Sequence, residues 1–267
     1  MSRITDSFTR HGRRDRRALI PFIMAGDPDL DTTRRLIVEL ARAGADLIEL
    51  GVPFSDPIAD GPIIQRAAMR ALRNRVGVAQ VLEVVADART ETDVPIILFS
   101  YFNPLLQLGA ARLGAESRAA GLDGVLVTDL IPEEASEFAA AMTENELDCI
   151  YLAAPTTTDE RLRMIARLAT GFVYAVSRAG VTGARTDVRA DAERLVARLR
   201  GVTTLPVAVG FGISDAGQVA EVWRYADGAV VGSAIVAEME RQAGAPDFVT
   251  RIGDFTRALL PPRGGDS

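Results

Sequence analysis

The feature that most limits what this chain can become is a rhythm. About eight times over, a short apolar run suited to a buried strand is followed by a stretch of helical pattern. The runs fall at residues 19–24, 47–50, 95–99, 124–128, 149–152, 172–176, 206–209 and 228–231. Helical patterns fill the gaps, most clearly at 31–43, 133–145, 159–169, 189–200 and 215–224, with cap-type residues Asp31, Thr158, Asp187 and Ser214 at or near their starts. Gly44 stands where a terminating glycine belongs. Strand-helix alternation feeds parallel pairing, because each crossover returns the chain to the same end of the sheet. Eight such units, with no linker or shift of composition between Ala18 and Leu260, predict an α/β fold: a single (β/α)8 TIM barrel with an extra N-terminal helix. Residues 1–267 are read as one domain, with 1–17 a polar lead-in and 261–267 a Pro/Gly tail expected to be disordered.

Within that frame one residue is out of place. Strands of a parallel sheet covered on both faces are continuously apolar, yet the second run reads Leu47-Ile48-Glu49-Leu50. An unpartnered ionised group there costs several kcal/mol or shifts its pKa. In a barrel, the C-terminal ends of the strands face the active site, and Glu49 lies one residue before that end. The Pro- and Asp-rich loop that follows ends at a second carboxylate, Asp60, so two acids can converge on one substrate. Carboxylates in unlike surroundings divide acid-base work: a partly buried one with a raised pKa shuttles the proton, and a solvated one stays ionised and stabilises positive charge. Glu49 is the expected shuttle. The bland alternative, a strand carboxylate paired with an arginine, stays open at this stage.

Composition narrows the chemistry by absence. The chain has no lysine, so its 30 basic residues are all arginine, and His11 is its single histidine. A lysine Schiff base, a histidine base, a Ser-His-Asp triad and a His/Cys metal cluster are excluded, and no metal site is expected. The lone Cys149, on an apolar run, reads as buried packing and rules out an internal disulfide. A net charge of −6 with interspersed signs argues against a nucleic-acid partner. The longest early apolar run, 18–26, is far short of a membrane span, and no small-residue cleavage site follows the arginines at 13–17, so the chain reads as cytoplasmic.

Glycines mark a second function. Gly210-Phe211-Gly212-Ile213-Ser214 follows the seventh run and Gly232-Ser233 the eighth, where barrels commonly hold phosphate on backbone N–H groups and a helix N-terminus. Gly180 to Gly183 lies in the long loop 177–187 and is placed to close over the same group, as a lid. Phe22, Phe99, Tyr101, Tyr174 and Phe211, all at run ends, suit a flat apolar slot, although aromatics there are more often simply core. Asp129, Glu133 and Glu134 flank a turn and read as charges complementing a helix dipole.

Five segments, 21–28, 49–62, 177–184, 210–214 and 232–236, together resemble the signature segments of the tryptophan synthase alpha chain family, in order and over nearly the whole chain. The resemblance implies a lyase that cleaves indole-3-glycerol phosphate to indole and D-glyceraldehyde 3-phosphate. It implies Glu49 as the acid-base residue and Asp60 as the charge stabiliser at the indole N–H. By the same likeness Phe22, Tyr101 and Phe211 line the indole slot, Tyr174 and Thr182 lie near the acids, and Gly183, Gly212, Gly232 and Ser233 hold phosphate. Phe99 stands where the family often has an aliphatic residue. The family works as an αββα heterotetramer with a beta chain that carries pyridoxal phosphate; no cofactor is expected in this chain. The expected contact surface is the barrel mouth: 52–60, Asn103-Pro104 and 129–132. Other barrel enzymes of phosphorylated aromatics, such as a phosphoribosylanthranilate-type isomerase or an indole-glycerol-phosphate synthase, remain alternatives, as does an inactive barrel that only activates a partner. The synthase fits less well, since its chemistry resembles lysine-dependent catalysis.

Overall fold

The computed structural model describes residues 2–12, 17–176, 185–210 and 212–262. Among them the chain runs α1 (Arg3–Gly12), β1 (Ala18–Met24), α2 (Leu30–Arg42), β2 (Ile48–Gly51), α3 (Pro62–Arg73), α4 (Val78–Ala88), β3 (Ile96–Ser100), α5 (Phe102–Leu108) and α6 (Ala110–Ala120). It continues through β4 (Gly124–Val127), α7 (Ser136–Glu144), β5 (Asp148–Ala153), α8 (Asp159–Leu168), β6 (Val173–Val176) and α9 (Arg185–Arg200). It ends with β7 (Val207–Gly210), α10 (Ala216–Val222), β8 (Gly228–Val231), α11 (Ser233–Arg241) and α12 (Phe248–Ala258). Each strand pairs in parallel with the next and β8 pairs with β1, which closes an eight-stranded TIM barrel.

Period-two alternation sorts the strand residues into two cores. Ile20, Leu47, Ile97, Leu126, Ile150, Tyr174, Ala208 and Val230 fill the barrel interior. Leu19, Ile23, Ile48, Leu50, Ile96 and Leu98 pack outward against the helices. Glu49 shares the parity of Leu47, so it points inward, and Gly51 follows it at the mouth.

The two ends of the barrel are built differently. At the N-terminal rim a fourfold pattern appears: each even strand offers a side chain from its start to a backbone N–H of the odd strand before it. Asp46 accepts from Leu19 at 2.9 Å, Asp123 from Ile96 at 2.8 Å, Thr170 from Cys149 at 2.8 Å and Asp227 from Val207 at 2.9 Å. These bonds satisfy backbone N–H groups at the buried N-terminal rim of the barrel. Helix α1 then covers that end: Ile4 is fully buried, Phe8 meets Phe172 at a ring distance of 5.6 Å, and Ser7 donates to the Asp46 carbonyl. The C-terminal end carries the long loops.

Several sequence expectations shift. The cap of α2 is Asp29, whose carboxylate accepts from Thr32 N, rather than Asp31. Asp215 rather than Ser214 caps α10, and Asp187 falls inside α9. Thr158 caps α8 as expected, and Gly44, at φ 102°, ends α2. Residues 132–134 form a 3-10 turn before α7. Asp129 serves a different helix from the one expected: its Oδ1 accepts Phe102 N at 2.6 Å, at the start of α5, while Glu133 pairs with Arg161.

Candidate active site

Strand β2 brings Glu49 into the barrel beside Phe22 of β1 and Ile97 of β3, its register partners. Its side chain is 1% exposed and forms no ion pair among the described residues, and Oε1 has no hydrogen-bond partner. The arginine partner required by the bland alternative is not found among the described residues. Burial alone pushes the Glu49 carboxyl up to about 8, so at neutral pH it holds its proton. The sequence expectation of a partly buried acid is corrected to a fully buried one.

Asp60 sits at the end of the loop from β2 to α3. It is half-buried, and its carboxyl is raised to about 6 by burial against the opposing effect of a hydrogen bond from Tyr101. It is not the fully solvated acid the sequence suggested, yet it remains largely ionised at neutral pH. The Tyr101 hydroxyl also accepts Ala59 N–H at 2.9 Å, so one phenol grips two consecutive residues of the acid loop. Phe54 lies against the Tyr101 ring at 5.2 Å. Sequence reading missed this clamp because it joins two loops from different strands.

The slot aromatics are brought together in part. Phe22 and Phe99 meet edge to face at 5.3 Å. Gly51 lies under the Phe22 ring, where a Cβ would come within 2.6 Å of Cζ, and Gly232 lies 3.6 Å from Phe22 by the same measure. Tyr174 is buried, and its hydroxyl is held up by burial and by the charge of Glu49, which places the two near each other. Gly210 lies directly beneath it: an added Cβ would stand 2.0 Å from the phenol oxygen. Both support glycines, Gly51 and Gly210, occupy inward positions at strand ends, a signal readable in the strand parity.

Of the phosphate-type residues, Gly212 is exposed at φ 74°, and Gly232 and Ser233 lead into α11. Thr182, Gly183 and Phe211 lie outside the described residues. Among the described residues no group of three or more His, Cys, Asp or Glu side chains is arranged to hold a metal ion.

A buried carboxyl with no ion pair among the described residues, at the open end of a closed (β/α)8 barrel and with a second carboxyl gripped on the loop above, fits one class: barrel enzymes of the kind that move protons with carboxyl groups. Residues 8–255 match the family model for the tryptophan synthase alpha chain. The chain belongs to that family. It is 49% identical over 259 residues to the alpha chain of Solibacter usitatus, covering 97% of each, and 50% identical over 259 residues to that of Geobacter sulfurreducens, covering 97% and 98%. The solved tryptophan synthase subunit alpha from Legionella pneumophila superposes with a TM-score of 0.89 at 34% identity, covering 97% of each chain. A chain of the aminoacrylate-bound tryptophan synthase of M. tuberculosis gives 0.87 at 36%, covering 97% and 98%. This chain is accordingly the lyase that cleaves indole-3-glycerol phosphate to indole and glyceraldehyde 3-phosphate in tryptophan biosynthesis.

Proposed function

We propose that Glu49 and Asp60 carry out the cleavage between them, and the observation that carries this is the buried Glu49 carboxyl, unpaired and protonated at neutral pH. Glu49 gives its proton to C3 of the indole ring, which converts the ring to a cation with charge at the N–H. Asp60, ionised, stabilises that charge. The Glu49 carboxylate then takes the proton of the side-chain hydroxyl next to the ring. The carbonyl forms, the bond to C3 breaks, and its electron pair restores the ring double bond while nitrogen regains its lone pair. Glu49 ends protonated again. The ring itself accepts the electrons, which is why a chain without lysine can run a retro-aldol reaction.

Phe22, Tyr101 and Phe211 hold the ring, with Tyr174 close to Glu49. Gly183, Gly212, Gly232 and Ser233 hold the phosphate, and Thr182 reaches Asp60 when the loop before α9 closes. The chain works as one domain in the cytoplasm and in an αββα complex. Its beta chain carries the pyridoxal phosphate, since no Schiff-base lysine exists here. The docking face is the barrel mouth, where the large apolar residues Ile58, Leu106 and Ile131 are 87%, 59% and 40% exposed on neighbouring loops and α5.

Four measurements test this reading. The isolated chain, given indole-3-glycerol phosphate, releases indole slowly. The free enzyme's kcat/KM is bell-shaped, falling below about pH 6 as Asp60 takes a proton and above about pH 8 as Glu49 loses one. Asp60→Asn lowers kcat/KM by about 10²-fold and abolishes the acid limb; an unchanged acid limb removes Asp60 from its role. For the docking face, Leu106→Asp leaves the slow activity of the isolated chain within about twofold and weakens activation by a beta chain at least about tenfold. Full activation of that variant would move the interface elsewhere.

A further inference from the structure

An ion cluster between α3 and α11 has no part in the chemistry above. Asp27, buried just past the end of β1, receives a two-point fork from Arg70: Nε donates to Oδ1 at 2.7 Å and Nη2 to Oδ2 at 2.8 Å. The remaining nitrogen, Nη1, donates to Glu240 Oε1 at 2.9 Å. Arg66 closes the cluster from outside, donating Nε to Glu240 Oε1 at 2.8 Å and Nη2 to Oε2 at 2.6 Å. These two arginines hold the Glu240 carboxyl down at about 2, so it is ionised throughout the working range.

Three segments therefore meet on one guanidinium, and each leads to the mouth. β1 carries Phe22, α3 begins two residues after Asp60, and α11 begins at Ser233. Beneath the ions, Ile64, Ala67, Ala68 and Ala71 of α3 and Val236 of α11 pack with Phe22 and Met24. A face made largely of alanine lets helices approach closely but offers few knobs to resist sliding. A planar arginine fork supplies the missing direction, because it is satisfied at one angle and one height only.

We propose that Arg70 is a positioning residue: it fixes Asp60, at the head of α3, in register with Gly232 and Ser233, at the head of α11, and so couples phosphate binding to the proton chemistry. The inference rests on the placement of acid and phosphate given above. A lysine at position 70 keeps the charge and loses the fork.

The experiment compares kcat/KM for indole-3-glycerol phosphate with that for the dephosphorylated indole-3-glycerol, in the wild type, Arg70→Lys, Glu240→Gln and Arg66→Ala. The ratio of the two is the readout, since a merely structural lesion lowers both by the same factor. The wild type favours the phosphorylated substrate strongly. In Arg70→Lys the ratio falls about tenfold or more, as expected for a small displacement of a reacting group. In Glu240→Gln, which keeps the volume and folds independently of any failure at position 70, it falls about threefold. Arg66→Ala leaves it within about twofold, because Arg66 is an exposed outer partner. An unchanged ratio in both Arg70→Lys and Glu240→Gln overturns the inference alone. A wild-type ratio near one overturns the phosphate placement itself.

Discussion

Glu49→Gln lowers kcat for indole release by about 10²-fold or more while KM changes little, because the amide fills the same space and moves no proton. The same substitution makes the protein more stable in alkali. The folded carboxyl titrates at about 8 against an ordinary 4.5, so the folded state binds this proton more tightly than the unfolded chain. Its contribution to stability is fully present below about pH 4.5 and is lost as pH rises through about 8. Above that, the wild type carries a buried charge costing a few kcal/mol, and glutamine does not. The Tm of the variant therefore exceeds that of the wild type at pH 9, with the gap closing toward pH 5. Activity within about threefold of wild type would refute the role of Glu49, and equal Tm values at pH 9 would refute its desolvation.

Gly210→Ala is expected to damage the enzyme out of proportion to one methyl group. The new Cβ would lie 2.0 Å from the Tyr174 hydroxyl, 2.6 Å from its Cζ and 2.9 Å from its Cε1. Tyr174 is buried at 8% exposure, so the ring has little room to swing away, and any shift disturbs the wall beside Glu49. The expected cost is about 1–3 kcal/mol in stability, with a fall of about tenfold or more in kcat/KM. Adding Tyr174→Phe removes the nearest atom and restores part of the loss, giving a non-additive pair. Additive effects in that double variant would place the damage somewhere other than this contact.

The barrel was readable because its signal is long. Eight apolar runs whose starts lie 22 to 48 residues apart leave few other ways to bury both faces of every strand, and the structure keeps each run with no end moved by more than one residue. Glu49 was readable for the opposite reason, as a single violation of that pattern. Less visible were contacts set by geometry between loops. Asp129 looked like the acidic start of α7 but reaches across to Phe102 N of α5. Tyr101 looked like slot lining and also holds Ala59 and Asp60. The caps of α2 and α10 were displaced, to Asp29 and Asp215, because several cap-type residues stand in a row and only backbone angles choose among them.

The order of strands and helices, the anomaly of Glu49 within an apolar strand, and the exclusion of lysine and His/Cys-cluster chemistry follow from the residues alone, since they depend on periodicity and on which side chains exist. Closure of the barrel decided the rest. It removed Glu49 from water without giving it an arginine partner among the described residues, raised the Asp60 carboxyl by burial beside a phenol from the next strand, and joined β1, α3 and α11 on Arg70. Desolvation and hydrogen-bond geometry depend on neighbours far apart along the chain, and a linear pattern does not encode how far apart those neighbours come to rest.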